Sequence, residues 1–245
     1  MKRFAGWKAH EITLTHIENY LDEFEKPATR QGEHTRLQTF ISYCKTQGYR
    51  RDNPFEKLKQ PQVVHGRPVI LAVDECKRLM DSAKSDPELI PSFALKLFAG
   101  IRPDEVRRLH WRDVKLESGE VVIDTHVAKM PKHIRVVKLP ENCLKWLNYK
   151  PSCLKNRPNS LIQPVHNYRK RFEAVRRNTA DAETDLPEIQ WAPDILRHTA
   201  ASHFFQDKGA AWTASNLGHS ERVLFRNYRA QVTDREAAAF YSITP

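Results

Sequence analysis

A chain of 245 residues with 40 Lys and Arg against 30 Asp and Glu has a net charge of +10. This balance is typical of proteins that bind a polyanion, most often nucleic acid, although a merely basic soluble protein stays open on charge alone. No apolar run approaches the roughly 20 residues of a membrane span, and the N-terminus lacks the apolar stretch of a signal peptide, so we expect a cytoplasmic protein.

The four cysteines lie far apart and form no Cys-x-x-Cys pair: Cys44, Cys76, Cys143 and Cys153. Each lies in or beside an apolar periodic stretch, which predicts reduced, mostly buried thiols in a cytosolic protein. Because the cysteines are scattered, the sequence predicts no metal site.

The first part of the chain, residues 8–57, predicts short helices. Apolar residues recur at helical spacing over residues 13–24, and Pro27 is expected to end that helix. A second helix is predicted over residues 29–47, with Gly48 as its stop. Three basic residues belong to the polar face of the second helix and are candidate DNA contacts: Arg30, Arg36 and Lys45.

A polar segment over residues 58–68 predicts a linker, and residues 69–245 predict a second domain. Gly100 closes an apolar helix in this domain. Pro103 suits the first position of the helix that follows. Arg102 therefore lies at a tight junction between two helices, where its side chain projects from a fixed backbone.

After this junction the apolar period changes from helical spacing to two. Three short runs predict a small antiparallel sheet: residues 114–116, 121–123 and 134–139. A basic tip, residues 128–133, joins the last two strands. Helices are then predicted up to the C-terminus, over residues 141–149, 168–177, 193–206 (with Pro193 at its first position), 210–217, 221–229 and 234–241. The predicted fold class is α+β, mainly α with a small antiparallel β-sheet.

Several short motifs in the second domain have the residue types that hold and attack a phosphodiester. Arg102 and Glu105 lie in Gly-Ile-Arg-Pro-Asp-Glu, and Arg197 lies in Leu-Arg-His-Thr. Tyr228 follows the His219 of Leu-Gly-His by nine residues. A guanidinium group can donate two parallel hydrogen bonds to the oxygens of one phosphate, and a phenol beside it is a candidate nucleophile. Taken singly, each motif also has a structural explanation, such as an i,i+3 ion pair between Arg102 and Glu105.

Together these residues resemble the tyrosine recombinase family, also called the phage integrases, over nearly the whole chain. The resemblance implies a helical core-binding domain over residues 1–57, a linker over 58–68 and a catalytic domain over 69–245. It matches the family's catalytic residues in order: Arg102, Lys129, Arg197, His219 and Tyr228. Two further basic residues near Lys129 are candidate DNA contacts: Lys132 and Arg135.

The resemblance also implies a mechanism that needs neither a metal ion nor a cofactor. Tyr228 would displace a 5′-oxygen of DNA and form a 3′-phosphotyrosine link. Arg102 and Arg197 would hold the non-bridging oxygens, with Glu105 as structural support. Lys129 would protonate the leaving 5′-oxygen, and His219 would donate a hydrogen bond to a non-bridging oxygen.

One position departs from the family pattern. The family usually has histidine three residues before the second arginine, and here that residue is Asp194. His198 is not expected to replace it, because the family commonly has a histidine at the His198 position as well. The i,i+3 offset places Asp194 near Arg197, where it could orient the arginine or accept the proton of Tyr228. A simple helix N-cap stays open as well. Tyr241 is rejected as the nucleophile because it lies 22 residues after His219, in an alanine-rich packing helix.

The leading hypothesis is a site-specific DNA recombinase in the cytoplasm, associated with the nucleoid. Four protomers would assemble on double-stranded DNA and exchange the C-terminal helix, residues 234–241. Two alternatives stay open. One is a type IB topoisomerase that relaxes DNA as a monomer, and the other is a DNA-binding protein of the same fold that has lost catalysis.

Overall fold

The structure is a computed structural model that describes residues 2–61, 66–128, 134–149, 158–181, 185–218, 220–229 and 231–245. The chain divides into two compact units, Met1–Gly66 and Arg67–Pro245. The division falls within the segment predicted as a linker. No helix in the described part of the chain is both long enough and apolar enough to span a bilayer.

The first unit contains two main helices, α1 (Leu14–Asp22) and α2 (Pro27–Thr46). The hydroxyl of Thr13 accepts a hydrogen bond from the backbone of His16 and caps α1. Pro27 was predicted to end the first helix, but it is the first residue of α2, where a proline needs no N–H partner. The apolar faces of both helices form one core, which includes Ile12, Ile17, Leu21, Leu37, Ile41 and Phe55.

The three basic residues predicted to contact DNA each have a carboxylate partner in this unit. Arg30 pairs with Asp22, Arg36 with Glu33, and Lys45 with Glu56. At least 36% of each basic side chain stays exposed. Partly exposed pairs of this kind contribute little to stability, so a phosphate can replace the carboxylate at low cost. The three residues stay candidate DNA contacts.

The second unit is mainly helical, and α4 (Ile90–Leu97) lies at its centre with every residue buried. Three helices pack against α4: α3 (Val73–Ala83), α6 (Glu141–Asn148) and α8 (Ile195–Leu217). The remaining helices of the described residues are α5 (Pro103–Val106), α7 (Tyr168–Arg177), α9 (Glu221–Tyr228) and α10 (Asp234–Tyr241).

The three strands are β1 (Val114–Lys115), β2 (Glu120–Ile123) and β3 (Arg135–Lys138). They form an antiparallel sheet in the order β1-β2-β3, with Val121 opposite both Val114 and Val137. The predicted sheet is therefore confirmed. The tip between β2 and β3, which contains Lys129 and Lys132, lies outside the described residues from 129 to 133.

Helix α8 matches the two predicted helices joined end to end. Gly209 interrupts the helix with φ 77° and ψ 176°, which is where the sequence predicted a break. The prediction that Pro193 occupies the first helical position is wrong. Asp194 has a left-handed backbone (φ 55°) as the N-cap, and the helix begins at Ile195. The first helical hydrogen bonds then start from the carbonyl of Asp194, which accepts from the backbone of His198.

The C-terminal helix α10 packs on its own chain. The ring of Phe240 is fully buried, with ring centroids 5.2 Å from Phe98 and 4.0 Å from His203. Two side chains of α6 donate hydrogen bonds to backbone carbonyls of this segment: Asn142 to Phe240 and Trp146 to Ile243. Exchange of this helix between protomers stays a prediction, and it requires these contacts to be broken.

The prediction of buried thiols is confirmed for Cys44, Cys76 and Cys143, which are buried and free of disulfide bonds. Cys153 lies outside the described residues. Burial raises the pKa of the Cys143 thiol above its ordinary value, so this sulfur stays protonated at neutral pH.

A lysine is buried in the core of the second unit. The ammonium of Lys96 donates hydrogen bonds of 2.8 Å to Ser92, to the side-chain carbonyl of Gln163 and to the hydroxyl of Tyr168. Burial lowers the pKa of Lys96 to about 7. Folding therefore favours the neutral amine, whereas an exposed lysine stays charged to about pH 10.4.

We expect Lys96→Met to remove a pH dependence from the stability of the protein. Between about pH 7 and pH 10 the unfolded lysine binds a proton that the folded lysine has lost, so this residue makes stability rise with pH. The slope is at most about 1.4 kcal/mol per pH unit. Urea unfolding of both proteins from pH 7 to 9.5 measures the difference, and parallel curves would contradict the assignment.

Candidate active site

Arg102 projects from the junction between α4 and α5, as the sequence predicted. It is the N-cap residue of α5, and Pro103 is the first helical residue. Glu105 accepts from both the backbone N–H and the guanidinium of Arg102, at 3.2 and 3.3 Å. A second guanidinium nitrogen lies 3.4 Å from the carbonyl of Gly218. The side chain stays 29% exposed, so an oriented guanidinium reaches the surface of the site.

Glu105 is the only described carboxylate that contacts Arg102, and it also binds Arg135. Its side chain is 3% exposed, and Arg135 donates to both carboxylate oxygens, at 3.0 and 2.8 Å. Burial by itself raises the pKa of Glu105, but the hydrogen bonds and charge of Arg135, together with the charge of Arg102, lower it below its ordinary value. Glu105 is therefore ionised and fixes two arginines at once.

The sequence predicted that Arg135 contacts DNA, and the structure instead places it inside the site. Its side chain is 7% exposed, and its Nε donates to the backbone carbonyl of Asn216 at 3.0 Å. The Asn216 side chain accepts from the backbone of Lys138 at 2.8 Å and joins α8 to β3. Arg135 is buried because its strand position faces α8, a contact between residues 81 positions apart.

Arg197 is buried in the first turn of α8 and is oriented by two backbone carbonyls. Its guanidinium donates to Gly100 and, at 2.7 Å, to Leu217. Burial, together with the charges of Arg102 and Arg135, lowers the pKa of Arg197 to about 9, although the charge of Glu105 acts in the opposite direction. Glu105 thus contacts two guanidinium groups, and its charge acts on the third. A cluster of three arginines around this carboxylate is electrostatically suited to an anion.

Two glycines bring these carbonyls to the arginines. Gly100 has φ 63°, and a Cβ atom there would lie 2.5 Å from the side chain of Leu217. Gly218 has φ 66°, and a Cβ atom there would lie 3.3 Å from Arg135. Both positions therefore require glycine. Any other residue would be strained at these positive φ angles, and its Cβ atom would lie too close to a neighbouring side chain.

Tyr228 ends α9 and lies against His198. Its side chain is nearly fully enclosed, with 1% of the residue exposed, and its hydroxyl lies 2.7 Å from Nδ1 of His198. Burial raises the pKa of Tyr228, while the charges of Arg197 and Arg102 act to lower it. Burial also lowers the pKa of His198, which favours a neutral imidazole.

The family pattern indicated that His198 does not replace the absent histidine, and the sequence did not indicate its contact with Tyr228. Successive helical residues point about 100° apart, so Arg197 faces the α4–α5 junction while His198 faces α9. The Leu-Arg-His-Thr motif contains His198, but the motif alone does not indicate which residue His198 contacts. The contact with Tyr228 spans 30 residues, and no local spacing reveals it.

Asp194 lies at the N-cap position of α8, but its side chain does not cap the helix. The residue is exposed, and its carboxylate raises the pKa of both His198 and Tyr228. It lines a cavity of about 150 Å³ together with Lys96, Trp191 and Arg197. The structure therefore places Asp194 close enough to influence the tyrosine and histidine, while the hydroxyl of Tyr228 contacts His198.

Three predicted site residues lie outside the described residues: Lys129, Lys132 and His219. Tyr241, the rejected alternative nucleophile, packs in α10 with its ring centroid 5.5 Å from Phe240 and 6.5 Å from Phe204.

The family model described as the phage integrase family matches residues 70–235, which is more than half of the chain and includes Arg102, Arg197 and Tyr228. The chain belongs to the phage integrase family. A tyrosine recombinase of Pseudothermotoga lettingae is 25% identical over 221 residues, which cover 86% of this chain and 75% of that protein.

Two solved structures of integrases are similar in fold. The Tn1549 transposon integrase in complex with circular intermediate DNA has a TM-score of 0.66 at 16% identity, with 94% of this chain and 85% of that chain covered. A lambda integrase tetramer bound to a Holliday junction has a TM-score of 0.63 at 16% identity, with coverage of 92% and 67%. At these identities the similarity shows the fold, and it confirms the predicted α+β class of this integrase-family chain.

Proposed function

We propose that this chain is a site-specific DNA recombinase that cleaves and rejoins DNA through a 3′-phosphotyrosine link at Tyr228. The observation that carries the proposal is the contact between the Tyr228 hydroxyl and His198, next to an arginine cluster oriented by backbone carbonyls. A phenol, a proton acceptor and a phosphate-binding group are the parts that phosphoryl transfer to tyrosine requires.

Arg102 and Arg197 bind the non-bridging oxygens of the scissile phosphate in this proposal. Phosphoryl transfer spreads negative charge over these oxygens, and pre-oriented guanidinium groups stabilise that charge in the transition state. Arg102 is the partly exposed member and meets the phosphate first, while Arg197 lies buried behind it. Glu105 acts as a positioning residue because it holds Arg102, and Arg135 acts through its two hydrogen bonds to Glu105.

His198 accepts the phenolic proton as the Tyr228 oxygen forms a bond to phosphorus and the 5′-oxygen leaves. In the neutral imidazole with a proton on Nε2, Nδ1 is free to accept the hydrogen bond of the phenol. The lowered pKa of His198 keeps this neutral form populated at physiological pH. Asp194 increases the basicity of His198 through its charge, and Lys129 and His219 retain the roles that the family resemblance implies.

We expect His198→Asn to lower the rate of covalent strand cleavage by about 10²- to 10⁴-fold, the usual effect of removing a proton-transfer group. Asparagine keeps a polar contact to Tyr228 but does not accept a proton near neutral pH. Single-turnover cleavage of a nicked substrate measures the effect, with DNA affinity as the control for folding. A His198→Asn rate equal to that of the wild type would remove His198 from the mechanism.

Asp194→Asn is expected to shift the pH dependence of cleavage. Cleavage requires neutral His198, so the rate rises as pH increases through the pKa of His198, which burial places below its ordinary value. The carboxylate of Asp194 raises this pKa. Its removal therefore moves the acid limb of the pH–rate profile to lower pH. An unchanged acid limb would show that Asp194 does not act on His198.

We propose double-stranded DNA as the partner and a tetramer on two DNA sites as the active assembly. The lambda integrase structure is a tetramer bound to a Holliday junction, which supports this proposal by similarity. Contacts with the DNA backbone are assigned to Arg30, Arg36, Lys45 and Lys132. Exchange of residues 234–241 between protomers would link cleavage to assembly, since α10 packs against α8, which contains Arg197 and His198.

The test begins with selection of bound sites from random DNA, followed by a suicide substrate nicked near the cleavage point. A recombinase forms a covalent adduct and joins two paired sites. Relaxation of supercoiled DNA without a paired site would favour a type IB topoisomerase. Binding without any adduct would favour a DNA-binding protein that has lost catalysis.

A further inference from the structure

A second cluster of chemically capable side chains surrounds the start of the β-sheet. His110 immediately precedes a short 3₁₀ turn, Trp111–Asp113, whose last residue is Asp113 and which leads into β1. His126 lies in the turn after β2. One ligand-type atom from each of the three residues lies within 4.8 Å of the others. None of the three belongs to the arginine–tyrosine site.

The distances within this cluster are close to those of a metal site. Asp113 Oδ2 lies 3.0 Å from Nε2 of His126 and 3.9 Å from Nδ1 of His110. Ligands bonded to a tetrahedral Zn²⁺ at about 2.0–2.1 Å lie about 3.3 Å from one another. Small side-chain rotations therefore bring all three atoms to ligand distance.

The backbone around the cluster is held in place before any ion binds. The backbone N–H of His110 donates to Asp113 at 2.9 Å, and the Asp113 side chain is only 8% exposed. Arg108 donates to the carbonyl of Val127 at 2.8 Å and fixes the turn that contains His126. All three ligand residues thus lie on turns that hydrogen bonds hold in place, which lowers the entropy lost on binding.

The imidazole of His110 supplies the observation that points to a ligand. Its Nδ1 is buried and has no hydrogen-bond partner among the residues that the structure describes. A buried polar atom without a partner costs free energy, and a metal ion bound to this nitrogen would remove that cost.

We propose that His110, Asp113 and His126 bind a divalent transition-metal ion, with Zn²⁺ as the preferred ion. Two imidazole nitrogens and one carboxylate suit Zn²⁺, whereas Mg²⁺ and Ca²⁺ prefer oxygen ligands alone. The ion would tie the turn before β1 to the turn after β2. The sequence prediction of no metal site rested on the cysteines, and it did not consider histidines that meet only in the folded chain. The proposal is independent of the recombinase function.

Isothermal titration of the full chain with ZnCl₂, after removal of metals with EDTA, tests this site. We expect one equivalent of Zn²⁺ to bind with an affinity that falls about tenfold or more in His126→Ala. His166→Ala, which removes another exposed histidine, is expected to leave this affinity unchanged. MgCl₂ is expected to produce no binding signal.

Visible absorption of bound Co²⁺ is a second readout, expected in the wild type and in His166→Ala but lost in His126→Ala. Circular dichroism confirms that the variants are folded. Equal Zn²⁺ affinity in the wild type and His126→Ala, or no binding to the wild type, would overturn the proposal. The cluster would then be a hydrogen-bonded His126–Asp113 pair with a neighbouring histidine.

Discussion

Tyr228→Phe is expected to abolish the formation of a covalent protein–DNA adduct while DNA binding is retained. The substitution removes one oxygen atom from a side chain with 1% of its residue exposed, so the packing of α9 against α8 is kept. Loss of a nucleophile typically lowers the rate by on the order of 10⁴-fold or more. Denaturing gel electrophoresis after incubation with a nicked substrate measures the adduct, and a gel-shift assay measures binding.

Tyr241→Phe is the matched control for this experiment. It makes the same chemical change in a neighbouring helix, at a ring that packs against Phe204 and Phe240. The control is expected to form the adduct. Adduct formation by Tyr228→Phe at the wild-type rate would assign the nucleophile to another residue.

The second large effect is expected for Glu105→Gln. The buried carboxylate of Glu105 binds both Arg102 and Arg135, and its charge also acts on Arg197. A neutral amide would remove this negative charge from the arginine cluster. Breaking a buried ion pair in this way typically costs about 3–5 kcal/mol of stability. We also expect strand cleavage to fall by about 10²-fold or more, because Arg102 loses the partner that orients it.

Urea unfolding and single-turnover cleavage measure the two effects. Asp104→Asn is the matched control. Asp104 directly precedes Glu105, and its exposed carboxylate pairs with Arg107. This control is expected to change neither property appreciably. If Glu105→Gln were as stable and as active as Asp104→Asn, the buried network would have no role in the site.

The same network predicts how acid affects stability. The pKa of Glu105 is lowered in the folded protein. The stability that ionised Glu105 contributes is therefore fully present above the ordinary glutamate pKa of about 4.3. It is lost as pH falls through the lower, folded value. Acidification below about pH 4.3 is therefore expected to destabilise the wild type more than Glu105→Gln.

Local sequence patterns predicted the elements that present Arg102. Gly100 marks the end of α4, and Pro103 marks the start of α5. Each residue determines the backbone only at its own position and the next one or two residues. The change to a period of two likewise predicted the small sheet. Such patterns are local, so they can be read without knowledge of the tertiary fold.

Other features depend on contacts between distant residues and could not be predicted in this way. Arg135 has the pattern of an exposed basic residue at the start of a strand, but its contacts with Glu105, 30 positions earlier, and Asn216, 81 positions later, lie in the buried part of the site. His198 reads as an ordinary neighbour of Arg197 until α9 brings Tyr228 to within 2.7 Å. Pro193 suits a first helical position, but the left-handed backbone of Asp194 starts α8 later.

In the proposed reaction, Tyr228 carries the cleaved DNA strand. The most direct measurement is mass spectrometry of the covalent adduct, trapped with a nicked substrate and digested with protease and nuclease. We expect a nucleotide linked through its 3′-phosphate to Tyr228. A link to Tyr241 or to any other residue, a link through a 5′-phosphate, or no link while DNA is bound would contradict it.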